Sequence, residues 1–428
     1  MQSAPLPSGG GADCMVAVGV ANTGESMPPG QVSLLTNTLV QDNLKLLHAR
    51  PRNLSEVPEW RPPTWRLRIG VDISTITDST DTTAEPAGTR QTVALIPRPG
   101  VVDLVDIVEP DAAPGEVTVA IDLCGVCATE VRAYLSGGGH GPMLCGHEWT
   151  GRLVAVGGAG AGLTVGQRVV VGVPDPCGEC AACRAGRPDF CSFVMSVARG
   201  RDRRPEQPHG GFARLLTVPA YRVVPVPDGV SEVAAALVEP AAVAWHAVRR
   251  GAITAGERVL VVGAGPIGLL VLQCARAIGA VDVPVVELSE ARRKAAKLSG
   301  AQHVSESTTD LVDEYDVVVD CTGDPDTIDQ SLGVLCQGGR VVLVSDAGSA
   351  TIAPRMWLAK EASMIAAAGY TRAEIVETLD LIAAGRIQPE KLHTRTVGLG
   401  SLSIGLEDLA ASDTTDIKIM LDPRIKEN

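Results

Sequence analysis

The sequence predicts an α/β plus β protein, in which an antiparallel β barrel or sandwich precedes a doubly wound parallel sheet. Short Val-rich runs separated by Gly and Pro fill residues 91 to about 240, the pattern of antiparallel strands. From Gly256 to about Gly369 strand-like and helix-like segments alternate, as parallel sheets require. The 428 residues are 45% apolar and 20% charged with a mean hydropathy of +0.16, enough to pack two or three cores.

Taken in order, residues 1–90 read as an N-terminal extension of unassigned role. Linker-like Ser3–Gly11 and Asp78–Gly88 bound it. Inside it Val32, Leu35, Leu39 and Leu46 have helix-like spacing, and Pro58, Trp60, Pro62, Pro63 and Trp65 form a Pro/Trp segment. The β domain is expected from 91–241 and again from 370–428, with strands at Val117–Asp122, Gly151–Val156 and Arg168–Val173. The parallel-sheet domain is expected at 242–369. Its strands are Arg258–Val262, Val283–Glu287, Asp316–Asp320 and Arg340–Ser345, with helices running to Ile278 and over Glu290–Leu298. So few residues separate Ala301 from Asp316 that one crossover helix is expected to be short or missing. A helix near Arg372–Ala384 and the apolar stretches Thr396–Leu402 and Ile417–Leu421 then return to the β domain.

Composition excludes several functions. A net charge of −13 and only 3% aromatic residues leave neither a basic surface nor stacking platforms for nucleic acid. The most apolar window, Val259–Leu272, is broken by Gly263, Gly265, Pro266 and Gly268 and is too short to span a membrane. Residues 1–10 carry neither a basic start nor an apolar run, so a cytoplasmic location is expected. There, 11 cysteines serve as thiols or metal ligands rather than disulfides.

Two motifs carry chemistry on spacing alone. Gly263-Ala-Gly265-Pro266-Ile267-Gly268 follows an apolar strand and opens a helix. Its glycines permit a tight turn and a close approach to a pyrophosphate, which the helix N-terminus attracts. Glu287, ending the next strand, is placed to accept from the adenosine ribose hydroxyls and to repel a 2′-phosphate, which favours NAD over NADP. Arg292 and Arg293 lie close enough in sequence to pull the other way. Cys177, Cys180, Cys183 and Cys191 read C-x2-C-x2-C-x7-C. Four thiolates so close wrap one tetrahedral Zn2+ with no open position, a structural site.

A more dispersed set is Cys127, His147, Glu148 and Glu239: a thiolate, an imidazole and carboxylates that form a candidate open zinc site. Gly125-Val-Cys127-Ala-Thr129-Glu130, Gly146-His147-Glu148, the four-cysteine lobe, Gly210-Gly211-Phe212-Ala213, Glu239-Pro240 and the glycine motif occur in that order. This series resembles the zinc-dependent medium-chain dehydrogenases over roughly residues 92–423, and Glu239 makes it most similar to the sorbitol, threonine and polyol branch. Gly146–Gly151 also resembles cyclitol and aminocyclitol dehydrogenases of secondary metabolism.

The resemblance implies a GroES-like β-barrel catalytic domain and a Rossmann cofactor domain in a homodimer or homotetramer. It implies Cys127 and His147 as catalytic zinc ligands, Glu148 and Glu239 binding directly or through water, and Thr129 hydrogen-bonded to the substrate oxygen. Glu130 stands where the family has an Asp that orients the histidine. A zinc- and NAD(P)-dependent oxidoreductase of a polyol, cyclitol or amino alcohol, or of the matching ketone, follows. Alternatives are an imine or enone reductase of a biosynthetic pathway, or a redox-inactive zinc- and nucleotide-binding scaffold. The chain departs from the pattern at Arg132, which replaces a proton-relay histidine and leaves His140 or bulk water to serve, and at Ser345, where a glycine commonly lies beside the nicotinamide.

Cys124, Cys145, Cys274, Cys321 and Cys336 fall in apolar runs and read as small buried residues. His48, His209, His246, His303 and His393 have no ligand-spaced partner.

Overall fold

The computed structural model describes residues 88–136, 145–158, 162–198, 209–311, 314–345 and 348–426. The expected helix and Pro/Trp segment of the extension, with His48, and the relay candidate His140 lie outside the described residues.

The chain begins with a hairpin of β1 (Gly88–Arg98) and β2 (Val101–Pro110), antiparallel and separate from the two larger sheets. A bridge from Val93 to Ala213 ties it to the β domain. There β3 (Glu116–Gly125), β4 (Glu148–Val156), β5 (Arg168–Val171), β6 (Leu215–Pro219) and β7 (Val223–Pro225) pair antiparallel. Alternate side chains of β3 and β4, with Trp149, Phe212 and Leu216, fill its core.

The second sheet is parallel throughout: β8 (Val259–Val262), β9 (Val285–Val286), β10 (Val304–Ser305), β11 (Tyr315–Asp320), β12 (Leu335–Leu343) and β13 (Ser363–Ala366). Their order is β10-β9-β8-β11-β12-β13, which is 3-2-1-4-5-6 with the switch point between β8 and β11. The chain then returns to the β domain with β14 (His393–Val397) and β15 (Lys418–Leu421), completing the order β14-β15-β3-β4-β5-β7 with β6 on β3. The pair β14–β15 is parallel, so this sheet is mixed rather than purely antiparallel.

The expected helices stand at Pro266–Ile278, Glu290–Leu298 and Arg372–Ala383. Among the described residues, the short crossover between β10 and β11 holds one 3-10 turn, Thr308–Asp310. Not foreseen were β10 and β13, whose two and four residues give too little period-2 signal, and helices Thr327–Gly333 and Pro354–Lys360. Strand β12 starts at Leu335 and ends before Ser345. Cys321 and Cys336 are only partly buried, unlike Cys124, Cys145 and Cys274.

One core joins the sheets. Helix Val238–Arg250 buries Ala241, Ala242, Ala244 and Ala247, small enough to let helix Pro266–Ile278 approach closely, and the cluster reaches from Val170 and Val224 to Val259 and Val342.

Candidate active site

Helix Ala128–Ser136 starts directly after Cys127, whose carbonyl accepts the Glu130 and Val131 amides. Glu130, three residues into the turn, reaches back: its Oε2 accepts the Cys127 N–H at 2.7 Å. Its Oε1 accepts the Gly146 N–H at 3.1 Å and lies 2.8 Å from His147 Nδ1. Fully buried, this carboxylate spans the two segments that carry Cys127 and His147 and leaves His147 Nε2 to point elsewhere. Burial opposes the imidazolium, but the charge of Glu130 and hydrogen bonds to Cys127 and Glu130 outweigh it, and the His147 pKa stands well above its ordinary value.

One ligand atom each of Cys127, His147 and Glu148 lies within 4.8 Å of the others. This mixed thiolate, imidazole and carboxylate set suits a three-ligand zinc with an open position. Glu239 is not in that compact set. It sits in the first turn of helix Val238–Arg250, interacts electrostatically with His147, Glu148 and Lys418, and hydrogen-bonds the Tyr370 hydroxyl. Burial pushes its carboxyl up to about 7, helped by the Glu148 charge.

Two residues of the centre escaped the sequence reading. Lys418 is 2% exposed on β15, its Nζ 2.5 Å from Glu148 Oε2 and 3.0 Å from the Val126 carbonyl. Burial disfavours its ammonium, but Glu148 and then Cys127 hold its pKa above the usual lysine value. A lone lysine inside the apolar run Ile417–Leu421 was the available signal. Tyr370 follows β13 at a distant point of the chain and left none. Close packing also explains Gly125: a Cβ there would come 2.1 Å from Glu148 Oε2.

Thr129 and Arg132 are exposed, one turn apart on the helix that starts beside Cys127. The other histidines join no metal set among the described residues. His209 is buried 2.8 Å from Glu109, His246 faces Glu374, His303 lies 3.6 Å from Asp282 and His393 bonds Thr396.

The four-cysteine lobe stands between β5 and helix Ser192–Ala198. All four sulfurs of Cys177, Cys180, Cys183 and Cys191 lie within 4.8 Å of one another, and Cys177 Sγ is 3.6 Å from Cys191 Sγ. A tetrahedron with Zn–S bonds of about 2.3 Å has edges of about 3.8 Å, so the thiols stand at zinc-binding separation. Backbone N–H groups of Cys183 and Ser192 hold the Cys180 thiol down to about 5, readying one thiolate.

At the switch point, the C-terminal ends of β8, β9 and β11 open on a cleft of about 390 Å³. Gly263, Gly265, Glu287, Arg292 and Thr322 are among its lining residues. Gly265 caps helix Pro266–Ile278, Pro266 takes its first position, and Ile267 packs on the core. A Cβ on Gly268 would stand 1.9 Å from the Gly263 carbonyl, which is why helix and turn can pack so closely. Glu287 accepts the Ala264 and Ser289 amides, each at 2.8 Å, one on each oxygen. Arg293 is occupied by the Glu287 and Leu288 carbonyls and by Glu306 at 2.7 Å, leaving Arg292 as the arginine on the cleft.

Comparison with known proteins agrees with this geometry. Residues 113–228 match the family described as alcohol dehydrogenase GroES-like domain, and residues 266–384 match zinc-binding dehydrogenase. The chain is 32% identical over 313 residues to L-galactonate-5-dehydrogenase of Escherichia coli K12, covering 69% of this chain and 88% of that protein. It is 31% identical over 346 residues to (R,R)-butanediol dehydrogenase of Bacillus subtilis 168, covering 74% and 95%. A crystal structure of an E. coli alcohol dehydrogenase with NADH superposes with a TM-score of 0.69 at 25% identity, covering 78% and 100%. With its barrel, its doubly wound sheet and both ligand sets in family order, this chain belongs to the zinc-dependent medium-chain dehydrogenases, as a zinc- and NAD(P)-dependent oxidoreductase of alcohols and ketones.

Proposed function

We propose that the protein interconverts a secondary hydroxyl and a ketone on a small polyhydroxylated substrate, such as a polyol, a cyclitol, an amino alcohol or a sugar acid, with NAD as the preferred cofactor. The observation that carries this reading is the compact set of Cys127, His147 and Glu148, with His147 oriented by Glu130. The carboxylates around it and relatives that act on galactonate and butanediol support a substrate with neighbouring hydroxyls. We assign residues 91–241 and 370–428 to catalysis and 242–369 to the cofactor.

Zinc held by Cys127 and His147, with Glu148 and Glu239 beside it, would supply Lewis acidity that lowers the pKa of an alcohol. Around it the chain's residues divide the work. Glu130 holds the proton on His147 Nδ1, so Nε2 keeps its lone pair for the metal. Thr129, exposed on the turn after Cys127, accepts the substrate's hydroxyl proton and passes it to solvent, because Arg132 has no lone pair to receive it. Lys418 offsets the buried charge of Glu148. At the glycine turn the backbone binds the pyrophosphate, and Glu287 takes the ribose hydroxyls with oxygens already oriented by two amides.

Ten free cysteines among the described residues support a reducing, cytoplasmic setting. The edge of β13, which pairs only with β12 among the described residues, supports a homo-oligomer through exposed Met364.

A panel of polyols, cyclitols, amino alcohols and sugar acids with NAD and NADP, followed by absorbance of the reduced nicotinamide, tests the proposal. Turnover with NAD on members of the panel, together with loss of one zinc in Cys127→Ala, is expected. No reduction on any member, with zinc content unchanged in Cys127→Ala, would favour the inactive scaffold.

A further inference from the structure

The chain passes between its two large sheets twice. Helix Val238–Arg250 lies on the way from β7 to β8, and helix Arg372–Ala383 on the way from β13 to β14. The two crossings touch through an ordered series of polar contacts. Tyr370 meets Glu239 by a hydrogen bond at the metal centre. His246 Nδ1 then lies 3.0 Å from both Glu374 oxygens. Glu377 Oε2 follows, 2.6 Å from Trp245 Nε1 and 3.1 Å from Arg249 Nη1. Glu239, His246 and Arg249 are spaced by seven and three residues and share one face of their helix, while Glu374 and Glu377 share a face of the second helix and Tyr370 lies just before its N-cap Thr371.

The middle contact is unusual. His246 and Glu374 are each 6% exposed, beside the mainly apolar core that joins the sheets, and Arg249 Nε lies 3.9 Å from Glu374 Oε1. A buried pair of this kind is weak evidence for stability, since apolar residues pack there at no greater cost. What it does supply is direction. Apolar helix faces can slide past each other, whereas Glu374 is fixed at both ends, by His246 and by the Thr371 N–H and hydroxyl at 2.8 and 3.0 Å. The second crossing is also fastened to the β domain, because Arg372 donates to the carbonyls of Tyr221, Val173 and Val223. Through His246 the first crossing is held to that anchored helix, and Glu239 lies two turns back along it.

We propose that the His246–Glu374 pair is a latch between the two crossings that sets how closely Glu239 approaches the Cys127, His147 and Glu148 centre. Both are thus positioning residues for hydride transfer. This rests on the reading of that centre as the site of reaction. Glu239 stands outside the compact ligand set yet within its electrostatic reach, so a small axial shift of its helix changes whether it joins the metal.

The test compares His246→Leu, His246→Asn, Glu239→Gln and the double variant His246→Leu/Glu239→Gln. Two readouts are used: steady-state kinetics, and the visible spectrum of enzyme carrying Co2+ in place of the catalytic zinc. His246→Leu is expected to lower kcat about tenfold with the KM for the nucleotide unchanged, and to add little to Glu239→Gln, because both act through one carboxylate. It is also expected to shift the cobalt bands. His246→Asn, whose amide nitrogen replaces Nδ1, restores both. Additive losses, or cobalt bands unchanged while only the melting temperature falls, would overturn the latch. Wild-type protein without hydride transfer to any alcohol would overturn the functional reading instead, and the cobalt bands would still judge the latch.

Discussion

Glu130 Oε1 lies 2.8 Å from His147 Nδ1, and the other oxygen of the same carboxylate holds the Cys127 amide. One buried side chain therefore aligns both residues that flank the metal position. Glu130→Ala is expected to weaken catalytic zinc binding about 10- to 100-fold. It also leaves the Cys127 and Gly146 amides unpaired, costing about 1–3 kcal/mol for each unsatisfied group. Metal analysis after dialysis and urea unfolding check the two effects; full zinc retention would show that Glu130 does not orient the ligand.

Lys418 and Glu148 are 2% and 1% exposed, so neither charge is solvated. Lys418→Met should destabilise the protein by about 3–5 kcal/mol by leaving the carboxylate uncompensated. Adding Glu148→Gln should recover most of that loss. Equal stability of the single and double variants in urea would refute the pairing.

Removal of the four-cysteine lobe's metal should be felt as lost stability rather than altered chemistry, because a site with four thiolates has no open position. Cys177→Ser is expected to lose one zinc per chain and several degrees of melting temperature. A variant that keeps both metals and its melting point would rule out Cys177 as a ligand.

The proposed preference for NAD is tested at Glu287. Replacing it with Ser removes the carboxylate that opposes a 2′-phosphate, while Arg292 stays on the cleft. The NAD-to-NADP ratio of kcat/KM should fall by about tenfold or more, equivalent to about 1.4 kcal/mol. Titrations with NADH and NADPH that keep the wild-type ratio would contradict this role.

Glu257 offers a pH test away from the centre. Burial works against its carboxylate, yet Arg340 Nη2 at 2.9 Å from both oxygens and the Thr254 amide hold its pKa below the ordinary 4.5. A depressed folded pKa gives stability that is complete above the unfolded value and is lost as pH falls through the folded one. The difference between wild type and Glu257→Gln, about 1 kcal/mol for a partly exposed pair, should hold from pH 7 to 5 and shrink on further acidification. A difference that grows as pH falls would reverse the assignment.

Local signals in the sequence determined much of this protein. Period-2 and period-3.6 patterns, the glycine turn after an apolar strand, and four cysteines within one loop are all properties of neighbouring residues; among the described residues the glycine turn, the cysteine lobe and the helices Pro266–Ile278, Glu290–Leu298 and Arg372–Ala383 stand where they were expected. Glu130 was reached only through the family resemblance, as the acid that orients the histidine, and its hold on the Cys127 amide came from the structure. Strands β10 and β13 were not, since so few residues carry no period.

Tertiary structure alone decided the centre's environment. Lys418 comes to Glu148 only because β15 returns to pair with β3, matching Met420 to Gly125 and Leu421 to Cys124. Tyr370 and Glu374 reach Glu239 and His246 only because two crossings, far apart in the chain, pack side by side. Spacing along a chain reports contacts made within one turn or one loop. Pairings across a hundred residues or more depend on which elements the core brings together, and those decide the charge around the metal and the position of its outermost carboxylate.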